Sequence, residues 1–119
     1  MTMTRERVLA YVKQQYGVDP DFPWGKLADY AVLRHGDNQK WFGLLSKVAC
    51  SKLGLAGEGD VALLNVKCEP ELIDILRAKP GILPAYHMNK THWLSIVLDG
   101  TVADRDVLDL VDVSFELTL

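Results

Sequence analysis

A chain of 119 residues is the size of one domain, with material for one hydrophobic core and not two. Its composition, 49% hydrophobic and 24% charged with no low-complexity tract, excludes a disordered or fibrous protein. A net charge of -3 argues against general attraction to polyanions, and the negative charge is uneven: residues 104–119 hold five carboxylates against one arginine.

The first seventeen residues, MTMTRERVLAYVKQQYG, lack the continuous apolar stretch of a signal peptide. No segment approaches the roughly 18 apolar residues of a membrane span. Cys50 and Cys68 lie far apart with no CxxC spacing, so reduced thiols in a cytoplasmic, non-membrane protein are expected.

In chain order, residues 4–16 place Val8, Val12 and Tyr16 at helical spacing, with Gly17 as the stop. Residues 17–26, with two prolines and two glycines, read as a loop. Residues 30–35 and 40–48 read as paired strands around the turn Gly36-Asp37-Asn38-Gln39. Strict alternation on the second strand puts Phe42, Leu44 and Val48 on one face and Trp41, Leu45 and Lys47 on the other. A glycine-rich loop at 54–60 leads into a strand at 61–67.

Glu69-Pro70-Glu71 opens a second helix, since proline suits its first position and carboxylates suit its positive end. Leu72, Ile73 and Leu76 form its apolar stripe, and Lys79-Pro80-Gly81 ends it. A strand follows at 93–98 and a turn at Asp99-Gly100. Asp104 then reads as the N-cap of a last helix. Within that helix Val111, Val113, Phe115, Leu117 and Leu119 also alternate like a strand; length and the capping aspartate favour the helix. The expected architecture is a single α+β domain over residues 1–119. An antiparallel sheet of four to five strands carries helices on one face, in the order α-β-β-β-α-β-α.

Several catalytic constellations can be weighed. Ser95, His92 and Asp99 have hydrolase residue types, but Ser95 falls mid-strand with no GxSxG elbow. Cys50 and Cys68 read better as small apolar residues than as nucleophiles. The loop GLAGEGD precedes a strand and lacks the Lys-Ser/Thr of a phosphate loop. His87 and His92 lack the third ligand a zinc site needs. The expectation is a non-enzymatic protein with no metal and no cofactor; an enzyme using His87 or His92 as acid-base is the outlying alternative.

The densest polar segment is Pro84 to Trp93, PAYHMNKTHW. Its Tyr86, His87, Asn89, Lys90, His92 and Trp93 could bind nucleic acid or a ligand, with Trp24 and Trp41 as further platforms and Lys40 and Lys47 on the hairpin as phosphate contacts. The bland reading is that Trp93 is core and that the histidines bond to backbone at a strand entry. Asn89 suits a left-handed turn that bonds its own neighbouring backbone. Asn89 and one histidine then read as architectural, while Tyr86, Lys90 and His92 read as exposed contacts.

Across residues 80–93, PGILPAYHMNKTHW, the chain resembles the MmcQ/YjbR family of small bacterial proteins. The likeness continues through Leu98-Asp99-Gly100 and Asp109 to Phe115, and through Phe22-Pro23-Trp24-Gly25 and Lys40-Trp41-Phe42. The loop carrying Gly54, Gly57 and Gly59 is longer than the family pattern. The resemblance implies a frataxin-like, double-wing α+β fold, a final helix at 109–115, and DNA binding by analogy of shape. Double-stranded DNA is therefore the leading expected partner, with Lys40, Lys47 and Lys90 neutralising phosphates while Tyr86, His92 or Trp24 stack. The alternative is a monomeric protein-interaction or small-ligand module without nucleic acid affinity. Clustered lysines would favour DNA, and scattered ones the alternative.

Overall fold

The computed structural model describes residues 3–25 and 29–119. The last residue of the expected 17–26 loop, Lys26, lies outside the described residues, as do Met1 and Thr2 of the N-terminal segment. Among the described residues no helix is long and apolar enough to cross a membrane.

The elements are α1 (Arg5–Tyr16), β1 (Ala31–Arg34), β2 (Trp41–Ala49), β3 (Asp60–Lys67), α2 (Pro70–Leu76), β4 (Ile82–Pro84), β5 (Trp93–Val97) and α3 (Asp104–Leu117). A 3₁₀ turn, Cys50–Leu53, follows β2. The five strands form one antiparallel sheet in the order β1-β2-β3-β5-β4. The chain order expected from sequence holds, with β4 added as a three-residue edge strand. Residues 86–88 of the polar segment form a turn, and β4 lies just before it.

Local chemistry explains the helix ends. Thr4 caps α1 by accepting a hydrogen bond from the Arg7 N–H. Gly17 closes it in the left-handed region (φ 68°), its N–H on the Lys13 carbonyl and the Val18 N–H on that of Val12. Pro70 occupies the first turn of α2. On α2, Ile73 is buried and Leu76 packs against the core, but Leu72 of the expected stripe is exposed. Asp104 is not a cap: Ala103 holds that position, and the Asp104 carboxylate lies in the first turn of α3, 2.9 Å from the Arg7 guanidinium. There it complements the positive helix end and ties α3 to α1.

The helices cover one sheet face. Val8, Val12, Ile73, Val107 and Val111 pack on Leu33, Phe42, Leu45, Leu64, Val66 and Ile96. The opposite face has a smaller cluster, Val48, Leu63 and Val97, capped by Leu53, Leu55 and Tyr86.

The face assignment expected for β2 fails for Phe42 and Trp41. Leu33 pairs with Gly43 and Arg34 with Trp41, so Phe42 is an extra residue in the ladder. A bulge of this kind flips the alternation. Phe42 therefore joins Leu45 under the helices, while Trp41 moves to the open face beside Leu44.

The bulge is held from above. The fully buried Ser114 of α3 donates its hydroxyl to the Phe42 carbonyl at 2.6 Å and accepts the Lys67 N–H at 2.9 Å. One turn later the Thr118 hydroxyl donates to the Ser114 carbonyl and meets buried His35 Nε2 at 2.7 Å. Phe115 stacks on Tyr16 at 3.7 Å and meets Phe42 edge-on.

Asp112 of α3 accepts hydrogen bonds from both the Tyr11 and Tyr16 hydroxyls of α1. Burial, reinforced by these bonds to a carboxylate, pushes both phenols above their usual range.

Two outcomes are expected. Ser114→Ala leaves a buried carbonyl and N–H without partners and lowers stability by about 1–3 kcal/mol in urea unfolding. The second concerns alkaline pH. The folded phenols hold their protons beyond the pH, about 10, at which the unfolded chain releases them. Their stabilisation is complete below that pH and is lost as pH rises through the raised folded values. Tyr16→Phe is expected to lower stability at pH 8 by about 1 kcal/mol, yet to lose less than the parent between pH 9 and 11. A parallel fall in both proteins would contradict this assignment.

Candidate functional site

Trp24, Trp41 and Trp93 come from a loop, β2 and β5, and all three line one open cleft of about 780 Å³ on the sheet face opposite the helices. Tyr30, Leu44 and Met88 add to its wall, and His87 and Asn89 close one side. These are all the tryptophans the chain has.

Each side of the cleft is positioned by a separate device. The bulge at Phe42 turns Trp41 outward. The loop carrying Trp24 is clipped to the free edge of β1, where Asp21 and Val32 exchange backbone hydrogen bonds of 2.9 and 2.8 Å. Its Asp21 carboxylate pairs with Arg34 at 2.6 Å, and the Arg34 guanidinium lies over the Trp41 ring at 5.8 Å. Trp24 then stands nearly perpendicular to Trp41 (6.1 Å, 85°) and edge-on to Tyr30 (5.4 Å, 63°). It is 57% exposed, so its ring is displayed rather than packed away.

The third side is the turn at 86–92. Buried Asn65 and Ser95, adjacent on β3 and β5, hold it to the sheet. The Ser95 hydroxyl donates to Asn65 Oδ1 at 2.5 Å and accepts the Tyr86 N–H at 2.9 Å. Asn65 Nδ2 donates to the Tyr86 carbonyl at 3.1 Å. Every polar atom of that small network is used, which makes it rigid.

The left-handed residue of this turn is His87 (φ 58°), not Asn89. Asn89 does bond its neighbouring backbone: its Oδ1 accepts the Thr91 and His92 N–H groups. An L-residue such as His87 in that backbone region is strained, and strained residues persist only where the surroundings over-determine them. Here the Asn65–Ser95 bonds on one side and the Asn89 turn on the other do so. The His87 ring lies 4.0 Å from that of Tyr86.

The sequence-nominated residues therefore separate into groups. Trp24, His87, Asn89 and Trp93 line the cleft. Tyr86, expected as an exposed contact, is half-buried and packs on the second core cluster. Lys90 and His92 are exposed but line no part of the cleft. Lys40 is exposed at the start of β2. Lys47 lies about 20 Å further along that strand and on the helix-bearing face, in a depression shared with Arg5 and Glu6 of α1. Trp41, expected as a further platform, does line the cleft, brought there by the bulge; Tyr30, Leu44 and Met88 carry no signal in the sequence that joins them to the polar segment.

Other chemistry is scarce among the described residues. No group of three or more His, Cys, Asp or Glu side chains converges as metal ligands would. Ser95 is fully buried with its hydroxyl engaged. Burial pushes the Cys68 thiol up, away from the thiolate a nucleophile needs. A second groove, of about 380 Å³ between α2 and α3, is lined by aliphatic residues with Lys79, Asp106 and Asp109 and has no aromatic wall.

Similarity to known proteins accords with this fold. The chain is 49% identical over 116 residues to the uncharacterized protein YyaQ of Bacillus subtilis, covering 98% of each. A crystal structure of a Pseudomonas syringae protein superposes with a TM-score of 0.94 at 44% identity, over 98% of this chain and all of that one. A Deinococcus radiodurans protein shares the fold, with a TM-score of 0.74 at 24% identity over 98% of this chain and 78% of that one. The YjbR family model matches residues 13–117, and with these relatives it shows that the chain belongs to the YjbR family.

Proposed function

We propose that this chain is a binding protein rather than a catalyst, and that the tryptophan cleft holds a small aromatic ligand. The observation that carries this reading is the convergence of all three tryptophans, from three distant segments, on one concave surface. Its volume falls within the roughly 300–1,000 Å³ of small-molecule sites. Stacking on an aromatic face contributes about 1–3 kcal/mol per ring, and Trp24 is left exposed at some cost in solvation to offer such a face.

Double-stranded DNA, the partner implied by the family resemblance, needs cations where the duplex would lie. Among the described residues no lysine or arginine lines the cleft. Lys47 faces away from it, and Lys90 and Lys40 stand apart from Lys47. The lysine placement therefore supports the small-ligand reading over the nucleic acid one. Both cysteines remain free thiols, Cys50 half-buried and Cys68 buried, which supports a reducing cytoplasmic setting.

Tryptophan emission reports on this cleft alone, because no tryptophan lies elsewhere. Bicyclic aromatic fragments are expected to change that emission saturably. Trp24→Ala should weaken the response about tenfold or more with little loss of stability, since the side chain is exposed. A 20-base-pair duplex should leave emission unchanged at low salt. Silence with every fragment and a salt-sensitive response to the duplex would reverse the conclusion in favour of DNA.

A further inference from the structure

The polar atoms around the cleft are unevenly divided between donors and acceptors, and this assigns a ligand class to the site proposed above, on which the inference rests. Among the described residues neither a carboxylate nor a cation lines the cleft. Each tryptophan contributes an indole N–H, which can only donate. Among the described residues none of these three N–H groups has an acceptor, and those of the half-buried Trp41 and Trp93 are not buried orphans.

Asn89 adds to the imbalance. Its Oδ1 is already occupied by the Thr91 and His92 N–H groups. That bonding fixes the amide orientation and leaves Nδ2, with two N–H donors, as the group available at the cleft. Tyr30 and His87 can act either way. The aromatic walls are flat and apolar, and they meet at steep angles.

We infer that the cleft selects a planar aromatic ligand bearing hydrogen-bond acceptors, a carboxylate or ring carbonyl, with no positive charge. Its ring lies against the indole faces, and its acceptor atoms take the Asn89 Nδ2–H and indole N–H groups. A cationic ligand would gain contacts with the aromatic faces, but it would meet no carboxylate among the described lining residues and would leave the Asn89 and indole donors without acceptors. An aromatic hydrocarbon would leave the donors without partners on desolvation, a penalty that discriminates strongly.

Three matched probes test this: 2-naphthoate, 2-naphthyltrimethylammonium and 2-methylnaphthalene, each titrated into ¹⁵N-labelled protein. Following the indole Nε1–H signals and the Asn89 side-chain amide separates stacking from hydrogen bonding. 2-Naphthoate is expected to bind at least tenfold more tightly than either other probe and to shift the Asn89 amide and at least one indole N–H downfield. Asn89→Asp keeps the Oδ acceptor for Thr91 and His92 but removes the donors and adds negative charge. It should abolish the preference for 2-naphthoate, with the Thr91 and His92 backbone signals in place to show that the turn is intact.

Equal binding of the three probes, or tighter binding of the cation, would overturn the ligand class while leaving the cleft a binding site. If no probe moves any cleft signal up to its solubility, the binding role of the cleft fails with it.

Discussion

One serine hydroxyl joins three elements of this fold. Ser114 receives the N–H at the end of β3 and donates to the carbonyl of the extra residue in β2. Without that hydroxyl, a bulge buried beneath a helix would leave an unpaired carbonyl in the driest part of the molecule. With it, Phe42 drops into the helix-side core against Tyr16, His35 and Phe115, and its neighbour Trp41 must emerge on the opposite face. The packing of α3 and the shape of the cleft are thus two consequences of one local geometry. The C-terminal turn of α3 reinforces it, since Thr118 ties His35 to the helix and its carbonyl accepts from the Asn38 amide in the hairpin turn.

The opposite wall is held by an analogous but separate arrangement. Asn65 and Ser95 are polar residues in the middle of the two central strands, where apolar side chains would pack more simply. Their hydrogen bonds all go to each other or to the Tyr86 backbone. Glycine contributes at the far end of the same segment. Gly81 has φ 84°, and a Cβ there would lie 2.7 Å from Val102, so only glycine lets the chain turn into β4 this close to the start of α3. From Gly81 to Trp93 the chain is therefore constrained at both ends and in the middle. That is how a turn with a strained His87 stays in one conformation.

Much of the fold was legible in sequence because it follows from local chemistry. Helical spacing, the Gly17 stop and the Pro70 start each act within a few residues, and each is where the pattern put it. The final helix prevailed over an alternating strand pattern because its apolar residues also fit a helical stripe, with Val107, Leu110 and Val111 buried. The failures share a different cause. The faces of β2 were misassigned because alternation assumes an unbroken ladder, and the bulge depends on Ser114, 72 residues away. His87 took the left-handed position expected of Asn89 because Asn89 was committed to the backbone of Thr91 and His92. Asp104 looked like a cap, yet its carboxylate was claimed by Arg7, 97 residues earlier in the chain. The polar segment at 84–93 was correctly singled out, but its partners were half chosen. Trp24 joins it; Lys47, on the far face, does not.

The division of labour between the two sheet faces bears on why the cleft can afford exposed aromatic surface. The helix-side core contains most of the large buried side chains and both tyrosine–aspartate bonds, so stability is concentrated there. The open face has only a small cluster of its own, beneath the 3₁₀ turn and Tyr86. A Trp24 ring more than half exposed contributes little to either. Its position is nonetheless defined, by the Asp21 clip and by edge contacts to Trp41 and Tyr30. The same clip covers part of the β1 edge, which would otherwise invite pairing with another chain. A large apolar side chain held in place but left uncovered is what a preorganised recognition surface requires, because a ligand then meets rings whose ordering cost was met on folding.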